Sequence, residues 1–203
     1  MSVGMLGVVI LAGGEGKRMG GQDKGWCQYN GQPFIEKVLQ QLTQQAEQLN
    51  CPVQIVISAN RNLEKYCALG YPVISDLREG FNGPLAGIEA ALTYGQEHNI
   101  QQWISCPVDC LQLPPNYLSL MQLKHSAIQI LQIDGRQHFA HMAIRKEVRE
   151  DLHAYLDRGK RSIKGWLQTQ EVVFQSITFE SRVSDRNLLN CNDRQFEKIQ
   201  KPA

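Results

Sequence analysis

The chain carries almost no net charge and has no long apolar segment. Its 21 lysines and arginines nearly balance 20 aspartates and glutamates, which leaves a formal net charge of +1. A near-neutral chain offers no global attraction for nucleic acid or a membrane surface, so any anion site must be local. No apolar run reaches the ~20 residues of a membrane-spanning helix, and the first apolar run lacks the basic segment of a signal peptide. We therefore expect a cytoplasmic protein that binds neither nucleic acid nor membranes.

The six cysteines are scattered and include no Cys-x-x-Cys pair. A disulfide framework is not expected in a chain of this size without a secretion signal. Cys106 and Cys110 come nearest to a metal pair, but they flank a predicted strand end without a second pair, so buried thiols are the favoured interpretation. Since 42% of the 203 residues are hydrophobic, the chain can bury one full core, and we predict a single domain over residues 1–203.

Apolar periodicity predicts alternating strands and helices. The predicted strands cover residues 8–12, 53–58, 71–74, 103–106, 127–133, 139–144 and 171–177. The predicted helices cover residues 34–49, 62–68, 84–98, 114–123, 146–156, 162–167 and 193–200. Such alternation predicts an α/β fold, a Rossmann-like three-layer sandwich with a mainly parallel sheet.

A glycine-rich, cationic loop follows the first predicted strand. It has glycines at positions 13, 14, 16, 20 and 21, together with Arg18 and Lys24. Backbone N–H groups and positive charge in such a loop suit a polyphosphate ligand. The loop is not a P-loop, which needs Gly-Lys-Ser/Thr, and Met19 breaks the dinucleotide fingerprint. A flexible glycine turn is the competing interpretation.

The loop resembles a known family signature. Leu-Ala-Gly-Gly at 11–14, Arg-Met-Gly-Gly at 18–21 and Asp-Lys-Gly at 23–25 are similar to the signature loop of molybdenum cofactor guanylyltransferases. The first part is shared by many nucleotidyltransferases, whereas the extension to residue 25 is more particular to this branch. The resemblance runs from residue 8 to about residue 196. It implies a fold of the nucleotide-diphospho-sugar transferase type, in a single nucleotidyltransferase domain. It also implies transfer of GMP from GTP to the terminal phosphate of Mo-molybdopterin, with release of pyrophosphate.

The resemblance assigns nucleotide-binding and catalytic residues at the ends of predicted strands, where α/β sheets bind ligands. The implied GTP-binding residues are Leu11, Ala12, Gly13, Gly14, Lys24, Asn60, Asp76 and Asp109. Arg18, Lys24 and Asp109 are the implied catalytic residues. Asp109 is also the implied ligand of Mg²⁺, a cation that prefers oxygen ligands and substrate phosphates. From the residues alone, Asn60, Asp76 and Asp109 could equally be turn or cap residues.

The pterin substrate is implied to lie at Gly83, Asn190 and Asn192. Gly83 is the first residue of a Gly-Pro-Leu-Ala-Gly segment. A glycine and a proline that merely mark the transition from a loop to a helix explain this segment equally well. Asn190-Cys191-Asn192 is followed by Asp193-Arg194, where the family usually has Thr-Pro, and Asn192 could merely cap a helix.

Two further groups of residues stay open at this point. His138 and His141 have no obvious third ligand and are interpreted as core or strand-surface histidines. The basic residues in the stretch 158–164 are a solvated face or a contact to the pterin's phosphate.

Other functions compete with this interpretation. Within the same class, the alternatives are a cytidylyltransferase for the same pterin and a sugar-phosphate nucleotidylyltransferase, and the extension at 23–25 favours guanylyl transfer. A non-catalytic nucleotide-binding regulator is the alternative from another class, and the presence of Arg18, Lys24 and Asp109 speaks against it. The implied partners are GTP, Mo-molybdopterin and, transiently, proteins of cofactor synthesis and molybdoenzyme maturation.

Overall fold

The computed structural model describes residues 4–14, 21–80, 82–177 and 199–200. Within these ranges the strands, in chain order, are Met5–Leu11 (β1), Gln28–Tyr29 (β2), Gln32–Pro33 (β3), Val53–Ser58 (β4), Val73–Ile74 (β5), Ile100–Pro107 (β6), Ile128–Ile133 (β7), Arg136–Arg145 (β8), Val172–Ile177 (β9) and Ile199–Gln200 (β10). The α-helices are Phe34–Ala46 (α1), Leu63–Cys67 (α2), Pro84–Glu97 (α3), Tyr117–Leu120 (α4), Arg149–Asp157 (α5) and Ile163–Leu167 (α6). None of these described helices combines the length and the apolar character needed to span a bilayer.

Seven of the described strands form one mainly parallel sheet, in the order β5–β4–β1–β6–β8–β7–β9. Strand β1 lies inside the sheet and pairs in parallel with β4 and β6. Among these seven strands only β8 is antiparallel to its neighbours, because a tight hairpin at Asp134 and Gly135, both with positive φ, joins it to β7. The predicted α/β class and mainly parallel sheet are confirmed. The antiparallel direction of β8 agrees with a sheet that is mainly, rather than fully, parallel.

Apolar side chains cover both faces of the sheet. Val8 and Ile10 of β1 belong to the cluster that includes α1, and Val9 belongs to the cluster that includes α3. A parallel strand buried on both faces is apolar at every position, which explains the unbroken run in the sequence. Between β1 and α3, a Cβ at Gly7 or at Gly95 would come within 2.5–2.6 Å of the Trp103 ring, so both glycines are needed there. Helices therefore flank the sheet on both sides, as a three-layer sandwich requires.

Several predicted elements keep their position and change their length. The strand at 53–58 has the predicted bounds, and α1 ends at Ala46 rather than at residue 49. The helix predicted over 114–123 shortens to α4. One reason is that the Leu123 N–H donates to the Gln102 side chain at 3.0 Å, not to a helical carbonyl.

The closing helix predicted over 193–200 is wrong at its end. Ile199–Gln200 form β10, which pairs antiparallel with β2 in a small sheet that also contains β3. This pairing joins segments far apart in the chain, and local periodicity carries no information about it. Residues 193–198 lie outside the described residues.

Candidate active site

A cavity of about 650 Å³ opens where the carboxyl ends of β1, β4, β5 and β6 meet. Ligands of open α/β sheets bind at this edge. Its described lining includes these residues singled out in the sequence: Leu11, Ala12, Gly13, Gly14, Lys24, Asp76, Gly83 and Asp109. The structure therefore brings together most of the predicted site. Arg18, Asn190 and Asn192 lie outside the described residues.

The loop after β1 is held by its backbone. The Ala12 N–H donates to the Ser58 carbonyl at 2.8 Å, and the Leu11 carbonyl accepts from the Val108 N–H at 3.2 Å. The chain is therefore pinned to β4 on one side and to the end of β6 on the other. A Cβ at Gly13 would lie 2.9 Å from the Asn60 amide nitrogen, so this position has little room for a side chain. The backbone of this loop can thus approach a ligand closely.

Lys24 and Asp109 form an ion pair in the cavity wall. The Lys24 Nζ lies 3.0 Å from the Asp109 Oδ2, and their side chains are 35% and 15% exposed. Asp109 follows β6, whereas Lys24 begins a short 3₁₀ turn, Lys24–Trp26. A cation and an oxygen ligand therefore lie side by side at the edge of the sheet, 85 residues apart in sequence.

Asp23 fixes the segment that carries Lys24. Its buried carboxylate accepts hydrogen bonds from the Gly25 N–H at 3.1 Å, the Asn62 side chain at 2.9 Å and the Tyr66 hydroxyl at 2.7 Å. Burial, together with the Asp23 charge, raises the pKa of Tyr66 far above its ordinary value, so Tyr66 remains a hydroxyl donor. A Cβ at Gly25 would lie 2.2 Å from that hydroxyl. Asp23 and Gly25 of the signature thus shape the turn.

Asn60 lies behind Asp76 and orients it. The Asn60 Nδ2 donates to the Asp76 Oδ2 at 2.8 Å, and the Asn60 Oδ1 accepts from the Asp76 N–H at 2.9 Å. Asp76 and Ser58 line the cavity. Burial raises the pKa of Asp76 above its ordinary value, against the opposing hydrogen bond from Asn60. Ser58 and Asp76 are among the described residues that line the cavity, and Asn60 supports Asp76 from the second layer; sequence reasoning missed Ser58.

A second part of the cavity wall, called the α3 wall here, is the start of α3 with the loop before it. Gly83 has φ 73°, a conformation that favours glycine. The Asn82 Nδ2 donates to the carbonyls of Glu79 and Gly80 at 2.9 and 3.1 Å, while its Oδ1 accepts from the Arg161 Nε at 2.7 Å. Asn82 and Arg161 both line the cavity. The sequence left Arg161 within an unassigned basic stretch, and Asn82 had no signal beyond its place before Gly83.

A buried acid anchors this wall. Glu89 of α3 is 1% exposed and binds the Arg78 guanidinium through both carboxylate oxygens, at 2.7 and 2.8 Å. Its Oε1 also lies 2.6 Å from the His153 Nδ1. The hydrogen bond to Glu89 raises the pKa of Arg78 further above its already high ordinary value. The loop between β5 and α3 is thereby tied to both α3 and α5.

The predicted core histidine and thiols lie behind Asp109. His141 is buried, and its Nδ1 is 3.1 Å from the Tyr117 hydroxyl, which donates to the Ser105 carbonyl at 2.7 Å. Cys106 and Cys110 are buried and reduced, and burial raises the pKa of Cys110. These groups form part of the core beneath the site. His138 is half-buried, and burial lowers its pKa.

Comparison with known proteins gives a consistent result. The family model of the MobA-like NTP transferase domain matches residues 8–173. A molybdenum cofactor guanylyltransferase of Mannheimia succiniciproducens is 35% identical over 92% of this chain and 97% of its own length. One from Shewanella loihica is 35% identical over 79% of this chain and 80% of its own.

Solved structures share the fold. The molybdopterin-guanine dinucleotide biosynthesis protein A of Archaeoglobus fulgidus has a TM-score of 0.65 at 22% identity, covering 84% of this chain and 83% of its own. A putative protein of Aquifex aeolicus has a TM-score of 0.63 at 18% identity, with 95% of each chain covered.

Proposed function

This chain belongs to the MobA-like NTP transferase family, and from that premise we propose how it acts. It transfers GMP from GTP to the terminal phosphate of Mo-molybdopterin, which yields the guanine dinucleotide form of the cofactor and pyrophosphate. We propose that residues 1–203 form a single domain for this reaction. Relatives that share about a third of their residues over most of both chains support this function.

The observation that carries the proposal is the pairing of Lys24 with Asp109 beside the loop after β1. Backbone N–H groups and a cation suit the phosphates of a nucleoside triphosphate, and a carboxylate suits the divalent cation that accompanies them. We assign Leu11, Ala12, Gly13 and Gly14 to the nucleotide through their backbone. Asp76 is a further nucleotide contact, and Asn60 supports it from behind.

The reaction needs little proton transfer. The nucleophile is a phosphate monoester, which is already ionised at neutral pH because its second pKa is about 6. Catalysis is therefore positioning and charge compensation around the α-phosphate. Lys24 offsets negative charge from its place beside Asp109. Arg18, which belongs to the same signature, is proposed for the same role on the resemblance alone.

The family's chemistry implies a divalent cation, and the residues fit one. Among the described residues, no group of three His, Cys, Asp or Glu side chains could enclose a metal ion. Mg²⁺ is commonly held by one or two carboxylates together with substrate phosphates, and Asp109 offers such a carboxylate in the cavity. We propose Asp109 as its ligand. When bound, Mg²⁺ would offset the charge that develops on the transferred phosphate.

We assign Mo-molybdopterin to the α3 wall. Gly83 and the start of α3 line the cavity together with the loop after β1, and Arg161 provides a positive charge there. A substrate that carries a terminal phosphate suits such a wall. Asn190 and Asn192 are proposed as further pterin contacts on the resemblance.

We also propose that the protein acts in the cytoplasm. Its transient partners would be proteins of cofactor synthesis and of molybdoenzyme maturation, to which the product must pass. Nucleic acid and membranes are not among the proposed partners, since the chain's net charge is only +1.

Pyrophosphate release tests the function directly. The purified protein is incubated with GTP, CTP or ATP and Mg²⁺, each with and without Mo-molybdopterin. We expect release only when GTP and Mo-molybdopterin are both present. Equal or faster release with CTP would assign the chain to cytidylyl transfer. Nucleotide binding without release in any mixture would identify a regulator.

A further inference from the structure

Arg61 joins the two ends of the glycine-rich loop. Its Nη2 donates to the Gly14 carbonyl at 3.0 Å, on the side where the loop leaves β1. The same guanidinium donates to the Gly21 carbonyl at 2.6 Å through Nη1 and to the Gln22 carbonyl at 2.8 Å through Nη2. Three backbone carbonyls from both sides of the loop thus converge on one side chain.

The backbone that carries Arg61 is well anchored. Just before it, the Ala59 N–H donates to the Ile74 carbonyl at 2.9 Å, and Asn60 is bound to Asp76. Just after it, the Asn62 side chain donates to Asp23 at 2.9 Å. The backbone position of Arg61 is therefore set by the hydrogen bonds of its neighbours. A planar guanidinium with five donors can hold several carbonyls at defined angles.

Arg61 contacts the two residues that precede Lys24 in the chain. Gln22 and Asp23 are the two residues before Lys24, and the Arg61 Nε lies 3.9 Å from the Asp23 Oδ2. That distance gives charge attraction without a hydrogen bond, and the buried Nε has no hydrogen-bond partner in the described structure. Since the donated bonds go to protein carbonyls, Arg61 is a positioning group and not a ligand of substrate phosphates.

We propose that Arg61 positions Lys24 by clamping the glycine-rich loop at both ends. It holds Gly14 and the segment 21–22 together, so that the loop backbone and the Lys24 ammonium face the same substrate. This inference rests on the proposed role of Lys24 in nucleotide binding. It adds a residue that contributes to the reaction without touching the substrate.

A double-mutant cycle tests whether Arg61 acts through Lys24. Arg61→Ala should lower kcat/KM for GTP by roughly tenfold to hundredfold, since small misplacements of a catalytic group have effects of this size. In the Lys24→Ala background the same change should cost less than about threefold, because residues that act through each other are not additive. Equal losses in both backgrounds would overturn the proposal.

A second readout does not depend on catalysis. The loop contains trypsin sites after Lys17 and Arg18, and cleavage in a native protein follows the population of opened states. Arg61→Ala should be cut there roughly tenfold faster than the unaltered protein, without substrate. Arg61→Lys keeps the positive charge but loses the planar guanidinium that binds several carbonyls at once. Its rate of loop cleavage and its kcat/KM should therefore lie between those of Arg61→Ala and the unaltered protein. Arg61→Lys also keeps the test valid if Arg61→Ala fails to fold.

Arg145→Ala is the matched control. Arg145 also donates to two backbone carbonyls, those of Ser126 and Lys124, at 3.1 and 3.2 Å, but at the end of β8. It should leave loop cleavage and kcat/KM unchanged. An Arg61 variant with unaltered loop cleavage and unaltered kcat/KM, in a protein that does turn over GTP, would refute the clamp. A protein that never turns over GTP, yet whose loop is cut faster in Arg61→Ala, would refute the proposed function and leave the clamp standing.

Discussion

The two walls of the cavity are built differently. On the loop side, the buried carboxylate of Asp23 accepts three hydrogen bonds and fixes a short turn. On the α3 side, the amide of Asn82 and the guanidinium of Arg161 bind backbone carbonyls and each other. The loop after β1 and the turn at Lys24, called the loop wall here, thus place a cation on a well-anchored backbone. The conformation of the α3 wall depends instead on the side chains of Asn82 and Arg161. This difference predicts that each wall can be altered with an effect on one substrate only.

Asp109→Asn should have the largest effect, because this carboxylate lines the cavity beside Lys24 and is the proposed ligand of the metal ion on which both substrates depend. Turnover should fall by roughly a hundredfold to a thousandfold, the scale at which loss of charge stabilisation lowers kcat. The replacement is nearly isosteric, so the melting temperature should change little. Pyrophosphate release and a thermal melt followed by circular dichroism measure the two quantities. Turnover close to that of the unaltered protein would remove Asp109 as the essential ligand.

Lys24→Ala should affect the nucleotide and spare the pterin. The loss of one charge-assisted contact, worth about 1.5–3 kcal/mol, predicts a decrease in kcat/KM for GTP of roughly tenfold to hundredfold. The KM for Mo-molybdopterin should be unchanged. Lys65→Ala is the control, because Lys65 lies nearby, over the Trp26 ring at 5.9 Å. If the control lowers kcat/KM equally, the effect is one of general charge.

Asn82→Ala should weaken the binding of Mo-molybdopterin and spare that of GTP, the reverse of the effect expected for Lys24→Ala. The Arg161 Nε and the carbonyls of Glu79 and Gly80 would lose their partner, which should reduce the free energy of unfolding by about 1–3 kcal/mol. The KM for Mo-molybdopterin should rise severalfold as the wall loosens, while calorimetry should find an unchanged Kd for GTP. A weaker GTP affinity would show that the two walls are coupled.

Asp76→Asn should give the smallest change in stability. Because burial raises the pKa of Asp76 above 3.8, the folded protein binds this proton more tightly than the unfolded chain. The free energy of unfolding therefore falls as pH rises from 3.8 through the folded pKa. At neutral pH the variant should be as stable or more stable, by less than about 1 kcal/mol, because it removes a charge from a partly buried position.

Urea unfolding at acidic and neutral pH, with GTP titration alongside, checks this expectation. The pH dependence that belongs to Asp76 should disappear from the variant, and its GTP affinity should fall. A variant that is less stable at neutral pH and binds GTP normally would show that Asp76 is structural.

The sequence predicted the parts of the site that follow a strand. Gly13, Asp76 and Asp109 come directly after apolar runs, and parallel strands bring their ends to one edge by topology. Ser58 and Asn82 could not be found this way, because a strand-end serine or a loop asparagine has no distinctive pattern. Their positions depend on how β4 and α3 approach each other in space, as the Ser58 hydroxyl 2.5 Å from a Cβ placed at Gly87 illustrates.

A related limit explains which feature of the fold the apolar pattern left open, the direction of β8, and which it predicted wrongly, the helix at 199–200. Strand β8 is antiparallel because β7 and β8 form a hairpin, and the periodicity of a buried strand does not encode direction. Strand β10 exists through pairing with β2, near the other end of the chain. Local pattern predicts which segments are strands and helices, and long-range pairing decides the remainder.

The contact between Lys24 and Asp109 also has a cost for binding. Asp109 competes with substrate phosphates for Lys24, and Lys24 competes with Mg²⁺ for Asp109. While the ammonium neutralises the carboxylate at 3.0 Å, neither charge is fully available, and a nucleotide must separate them before it gains either. We therefore expect the affinity for GTP to be lower than its contacts alone would provide. Asp109→Asn removes the carboxylate that competes with GTP for Lys24. In metal-free buffer this variant should therefore bind GTP more tightly than the unaltered protein, although with Mg²⁺ its turnover of GTP should be far slower. Affinity and catalysis would thus move in opposite directions from one substitution.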